Sequence, residues 1–198
     1  MSTADILIGP ATIWYAPVGE TLPDPDSVDY GDDWGGNWDK MALTKEPVTA
    51  NRDVSTFDVM VEQSTLPVKR SVTEEKVTIE TTLAEFLASS LKLAMEGTVT
   101  TTAAGAGQVG MDEIEGGGQT LLSEYAWGIE GKYIDAAGAI FPVRVFIYRG
   151  TAVLNGELQF AKGDSTGIPL RIETLGDLTK DVGKQLWKIQ KVTAAATS

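Results

Sequence analysis

The stretch Phe57-Asp-Val-Met-Val-Glu-Gln-Ser-Thr-Leu-Pro-Val-Lys-Arg-Ser-Val-Thr-Glu-Glu-Lys-Val-Thr-Ile-Glu-Thr-Thr-Leu-Ala-Glu-Phe-Leu-Ala-Ser-Ser-Leu-Lys-Leu-Ala-Met-Glu-Gly97 decides the fold class. Phe57, Val59 and Val61 alternate with Asp58, Met60 and Glu62. After a turn around Thr65, Leu66 and Pro67, the period of two resumes with Val77, Ile79 and Thr81 against Lys76, Thr78 and Glu80. Alternation on both sides of a turn predicts an antiparallel pair with one buried face. That face is expected to hold Phe57, Val59, Val61, Val77 and Ile79, leaving Asp58, Met60, Glu62, Thr78 and Glu80 on the other.

The period then changes to that of a helix. Thr82 stands where an N-cap belongs and Glu85 three residues on completes a capping box. Leu83, Phe86, Leu87, Leu91 and Ala94 share one face, and Gly97 is expected to end the helix in the left-handed conformation. One α-helix over about 82–96, packed on a sheet, follows.

Working outward, Ile6 to Ala16 reads as a first strand closed by Pro17 and Gly19. A long loop over about 19–56 holds Pro23, Pro25, Gly31, Gly35 and Gly36 among seven acidic residues between Glu20 and Asp39. Thr98 to Gly118 is Thr- and Gly-rich and reads as a flexible connection, about 98–120 in all. Tyr125–Ile134 and Ile140–Tyr148 form the clearest hairpin, with Gly138 suited to its turn. Apolar residues on both faces of its second strand predict a central position. Thr151–Ala161 and Ile168–Leu175 read as another antiparallel pair, with Pro169 at an edge or a strand start. Asp177 to Val192 is a polar extension, helix or strand, in a C-terminal segment of about 177–198. The expectation is a single mainly β domain over 1–198: an antiparallel β-sandwich or partial barrel with one packed helix and long loops.

Composition narrows the chemistry. The chain has no Cys and no His, which removes thiolate nucleophiles, disulfides, thiolate metal sites and the commonest general base. A formal charge of −12 opposes the clustered Lys and Arg that phosphate contacts need. No apolar run reaches the roughly 18–20 residues of a membrane span, and the N-terminus lacks the pattern of a signal peptide, so folding in a cytoplasm is expected. Gly105-Ala-Gly-Gln-Val-Gly110 matches G-x-G-x-x-G in letters only, because no strand precedes it and no helical pattern follows. Asp24 and Asp26 match the first two ligands of a Ca²⁺ loop, but Val28 and Asp29 break the rule. Neither catalytic residues nor a cofactor or metal are expected.

The segments Val61–Val68, Ser71–Ile79 and Thr82–Leu87, with the opening Ile8-Gly-Pro-Ala-Thr-Ile-Trp-Tyr-Ala-Pro-Val-Gly19, resemble the tail-tube proteins of phages with long non-contractile tails. The resemblance implies a structural virion protein that assembles into stacked hexameric rings forming a conduit for DNA ejection. It implies partners in other copies of itself, a tape-measure protein, and tail-tip and tail-terminator proteins, with DNA passing the lumen without specific binding. Asp58, Glu62 and Glu80 are then candidates to line the lumen, and Trp34, Trp38 and Trp187 candidates for contacts between subunits or rings. The alternative is a carbohydrate-binding β-sandwich or adhesin with Trp34, Trp38 and Trp127 as stacking platforms.

Overall fold

The computed structural model describes residues 9–135, 137–160, 162 and 165–194. The order of elements is β1 (Thr12–Pro17), β2 (Asp39–Lys40), β3 (Thr49–Val59), β4 (Lys69–Leu83), α1 (Ala88–Met95), β5 (Gly97–Thr102), β6 (Met111–Gly116), β7 (Glu124–Ile134), β8 (Ile140–Leu154), β9 (Ile168–Thr174) and β10 (Trp187–Lys191). The fold is mainly β and antiparallel, does not close into a barrel, and carries one short helix.

Eight strands belong to one sheet in the order β2-β1-β7-β8-β9-β4-β3, with β10 on β8; β5 and β6 form a separate pair. The β7–β8 hairpin and the β8–β9 pair stand where the alternation places them. Its turn is held by Asp135, whose Oδ1 accepts the N–H groups of Ala137 (2.9 Å) and Ala139 (2.8 Å). β8 is central as its two-sided apolar pattern predicts, flanked by β7 along one side and by β9 and β10 end to end along the other. The expected strand from Thr151 is the continuation of β8 to Leu154, and Pro169 lies near the start of β9, facing Thr82 on β4.

Two clusters sandwich this sheet. On one face Ile13, Val77, Ile79, Trp127, Ile147, Ile168, Leu170 and Ile172 pack with Leu91, Leu93 and Ala94 of α1. On the other, Trp14, Ala16, Ala126 and Phe146 pack with Trp34 and Trp38 from the loop before β2. Neighbours on β1 alternate between the clusters, Ile13 to the first and Trp14 to the second, as a two-residue period requires.

Several expectations are corrected. α1 begins at Ala88, not near Thr82, because the segment Thr78 to Leu83, rich in β-branched residues, pairs with β9 along its whole length. The capping box is therefore not formed: Leu87 is the N-cap without a side-chain bond, and Glu85 instead accepts the Leu43 N–H at 3.0 Å. Phe86 and Leu87, expected on the buried helix face, are exposed. Glu96 takes the left-handed position (φ 55°) expected of Gly97. Gly97 starts β5, where an added Cβ would collide with the Ile114 side chain. The 98–118 connection is largely ordered as the β5–β6 hairpin, since Val99 and Ile114 face each other across it and Ile114 packs on the first cluster. The G-x-G-x-x-G letters are its turn, closed by hydrogen bonds in both directions between Gly105 and Gln108. The long loop over 19–56 gives way to β2 and to most of β3. The expected first strand starts later, at Thr12; Ile6 to Ile8, like Ala161 and Ala195 to Ser198, lie outside the described residues.

Candidate functional site: a protruding hairpin and a clamped loop

β3 and β4 pair over their full common length, but only the base of β4 also meets β9, between Thr78 and Leu83. The distal half therefore stands clear of the core. Val54, Phe57, Met60, Val61, Leu66, Val68 and Val72 are all exposed there, Phe57 to 61%. Of the five side chains expected to be buried together, only Val77 and Ile79 are buried.

The register, and the lack of a third strand beside the distal half among the described residues, explain the failure. Ala50 and Arg52 face Ile79 and Val77, so the alternation of β3 sends Phe57 and Val59 to the other face, and β9 reaches no further than Thr78. A bulge adds a second change on β4. Ser55 faces Glu74 while Thr56 faces Val72, so Thr73 is an extra residue and the alternation of β4 inverts beyond it. Residues opposite one another share a face. Thr49 faces Glu80, which by steps of two along β3 puts Phe57 and Val59 on the face of Glu80. Ala50 faces Ile79 and Asp58 faces Arg70, so Asp58 shares the face of Ile79. Asp58 and Glu80 thus lie on opposite faces, correcting the expectation of a common one, and Glu62 is exposed in the turn beyond β3.

The two carboxylates have different surroundings. Asp58 accepts two bonds from Arg70, Nε at 2.6 Å and Nη2 at 2.9 Å, across the pair. That hydrogen bonding, more than the charge attraction, holds the Asp58 carboxyl below the usual aspartate range. A carboxyl NMR titration is expected to place its pKa below the ordinary value of about 3.9, and Arg70→Ala to return it there. The pair's contribution to hairpin stability is present above about pH 4 and is lost as pH falls through the depressed value. Glu80 receives Asn155 Nδ2 at 3.3 Å and lies 3.7 Å from Arg171, which also binds Glu173 at 2.7 Å.

The acidic loop is fastened to the second face of the sheet by a buried ion pair. Glu130 on β7 and Arg144 on β8 face each other, with Nε to Oε1 at 3.0 Å and side chains 1% and 0% exposed. Arg144 Nη2 donates to the carbonyls of Val28 (2.7 Å) and Asp29 (3.2 Å). Glu130 accepts the Gly31 N–H at 3.1 Å and the Trp34 indole N–H at 3.4 Å. Trp34 stacks on Trp14 at 5.0 Å between centroids and meets Trp38 edge-on at 5.1 Å. Its ring lies over Gly128, where any Cβ would overlap Cζ3 and Cη2. Trp34 and Trp38 are 5% and 4% exposed, so the anchoring role expected of them at a neighbour is replaced by one within the chain. Burial of these two and of Trp127 also leaves the sugar-binding alternative without its platforms. Sequence reading missed the clamp, although a Gly inside strand β7 beside Glu130 signals a close approach.

Trp187 behaves differently. It begins β10, facing Ile147 of β8, and is 40% exposed. The chain reaches it through a turn pinned by Asp177, whose Oδ1 accepts the Thr179 hydroxyl (2.7 Å) and N–H (3.0 Å).

Among the described residues no group of three or more Asp or Glu side chains is placed to hold a metal, and no helix is long and apolar enough to cross a membrane. The prominent features are strand edges and exposed apolar side chains, which defines a protein whose working parts are surfaces. A family model described as phage tail tube protein matches residues 2–195, nearly the whole chain, and the chain belongs to that family. It is accordingly a structural protein of the bacteriophage virion, located in the tail. No curated protein matches the chain.

Proposed function

We propose that this chain assembles with copies of itself into stacked hexameric rings, and that the resulting tube conducts DNA during ejection. The observation that carries the proposal is the distal β3–β4 hairpin, whose outer strand has β4 as its only strand partner among the described residues and whose apolar side chains are exposed. An unpaired strand edge and apolar side chains left exposed on both faces of the hairpin are costly in water and are relieved by a second chain. The excess of acid supports a lumen that passes DNA without gripping it, with Asp58 and Glu62 on the distal hairpin as its candidate lining. Glu80, on the opposite face beside Arg171, has a role within the sheet. Trp187 remains a candidate for contact between subunits or rings. The tape-measure protein inside the tube, and tip and terminator proteins at its ends, complete the proposed partners. The proposed role is passive, without catalysis or cofactor, within one tail-tube domain made in the host cytoplasm.

Negative-stain electron microscopy over a concentration and salt series tests the reading. Rings or striated tubes are expected, and a monodisperse monomer under every condition overturns unaided assembly. Phe57→Asp is expected to abolish the assemblies while leaving the melting temperature within a few degrees, because the side chain is exposed in the protomer.

A further inference from the structure

Two strand edges on this molecule have chemistries that fit each other. β10 has β8 as its only strand partner among the described residues, and it borders a cleft of about 690 Å³ walled across from it by Arg52 and Glu75. It exposes Trp187 and Ile189, and residues 178–191 carry Lys180, Lys184, Lys188 and Lys191 against Asp181 alone. β6 likewise has β5 as its only strand partner among the described residues. β6 itself carries Asp112, Glu113 and Glu115 and no basic residue. An apolar edge invites another strand, and opposite charges choose which.

We propose that β6 of one copy pairs antiparallel with β10 of a second copy, with Glu115 opposite Lys188, Ile114 opposite Ile189 and Asp112 opposite Lys191. The inference rests on the reading that the chain self-assembles and names the contact. The register follows from alternation. Glu113 and Glu115 share one face of β6 while Asp112 and Ile114 share the other; Lys188 and Gln190 share one face of β10 while Ile189 and Lys191 share the other. A shift of one residue opposes Ile114 to a polar side chain. A shift of two sets either Asp112 against Ile189 or Ile114 against Lys191. Only the proposed alignment gives two opposite-charge pairs around an apolar one, each a favourable cross-strand contact. Every copy gives β6 and receives at β10, so the interface is head-to-tail and can close into a ring.

The absence of native Cys makes cross-linking a clean test. Facing residues in an antiparallel pair have Cα atoms roughly 4.5–5.5 Å apart, within the span of a disulfide. Under assembly conditions and mild oxidation, a Glu115→Cys/Lys188→Cys chain is expected to give a ladder of covalent oligomers on a non-reducing gel. Glu115→Cys/Lys191→Cys, whose side chains fall on opposite faces, is expected to give none. Glu115→Lys alone is expected to reduce assembly at least tenfold, and Lys188→Glu added to it to restore it. Tubes or rings without the 115–188 ladder overturn this contact and leave self-assembly standing. A wild-type chain that stays monomeric throughout overturns both.

Discussion

Arg144→Met is expected to be the most destabilising single change in the protomer, at about 3–5 kcal/mol, because it leaves the Glu130 carboxylate buried without its cation. Glu130 would keep the Gly31 and Trp34 N–H donors, but these do not neutralise it. Two further bonds vanish with the guanidinium, those to the Val28 and Asp29 carbonyls that hold the acidic loop against the sheet. In a chain of 198 residues the loss corresponds to a fall in melting temperature of roughly 6–20 °C. Thermal unfolding followed by tryptophan fluorescence measures it, since Trp34 and Trp38 belong to the released loop and pack on the sheet. The double variant Glu130→Gln/Arg144→Met is expected to recover a substantial part of the loss, because no unpaired charge remains. A double variant as unstable as Arg144→Met would assign the cost to the loop carbonyls instead.

Gly128→Ala is the second. The indole of Trp34 occupies the space of the missing side chain, and the ring is held there by Trp14, Trp38, Phe146 and the Glu130 carboxylate. One added methyl must displace the ring or bend β7, at a cost of about 1–3 kcal/mol, with Gly128→Val costing more. The coupling is specific: Trp34→Leu, itself destabilising, is expected to make the added Ala at 128 nearly harmless. A double-mutant cycle by denaturant unfolding checks this, and additive losses would show that the strain lies in the strand backbone.

These two sites show where sequence reading reached its limit. The alternating strands Tyr125–Ile134 and Ile140–Tyr148, the central place of the second, and the pairing with Ile168–Thr174 are local patterns, and local patterns suffice for antiparallel neighbours. The wording and order of the segments around Ile8, Val61, Ser71 and Thr82 carried the resemblance to phage tail tube proteins, the family to which the chain belongs. Thr82 and Glu85 misled because a capping box is a local preference of about a kilocalorie, whereas by continuing to Leu83 β4 adds two pairs with β9, Thr82 opposite Pro169 and Leu83 opposite Ile168, and buries Leu83 fully. Trp34 and Trp38 looked like anchors for a neighbour because nothing nearby in the chain announces that Gly128 leaves room for an indole almost a hundred residues away.

The class of fold and the antiparallel neighbours were legible in periodicity, and the family in the resemblance of a few segments, because all of these are properties of short stretches. Which faces are buried was not legible there. The register that sets Ala50 against Ile79 puts Phe57 and Val59 on the face away from Val77 and Ile79, and a polar loop becomes core when a buried Arg144 binds its carbonyls. Both depend on contacts between residues far apart in the chain, and no local pattern encodes them.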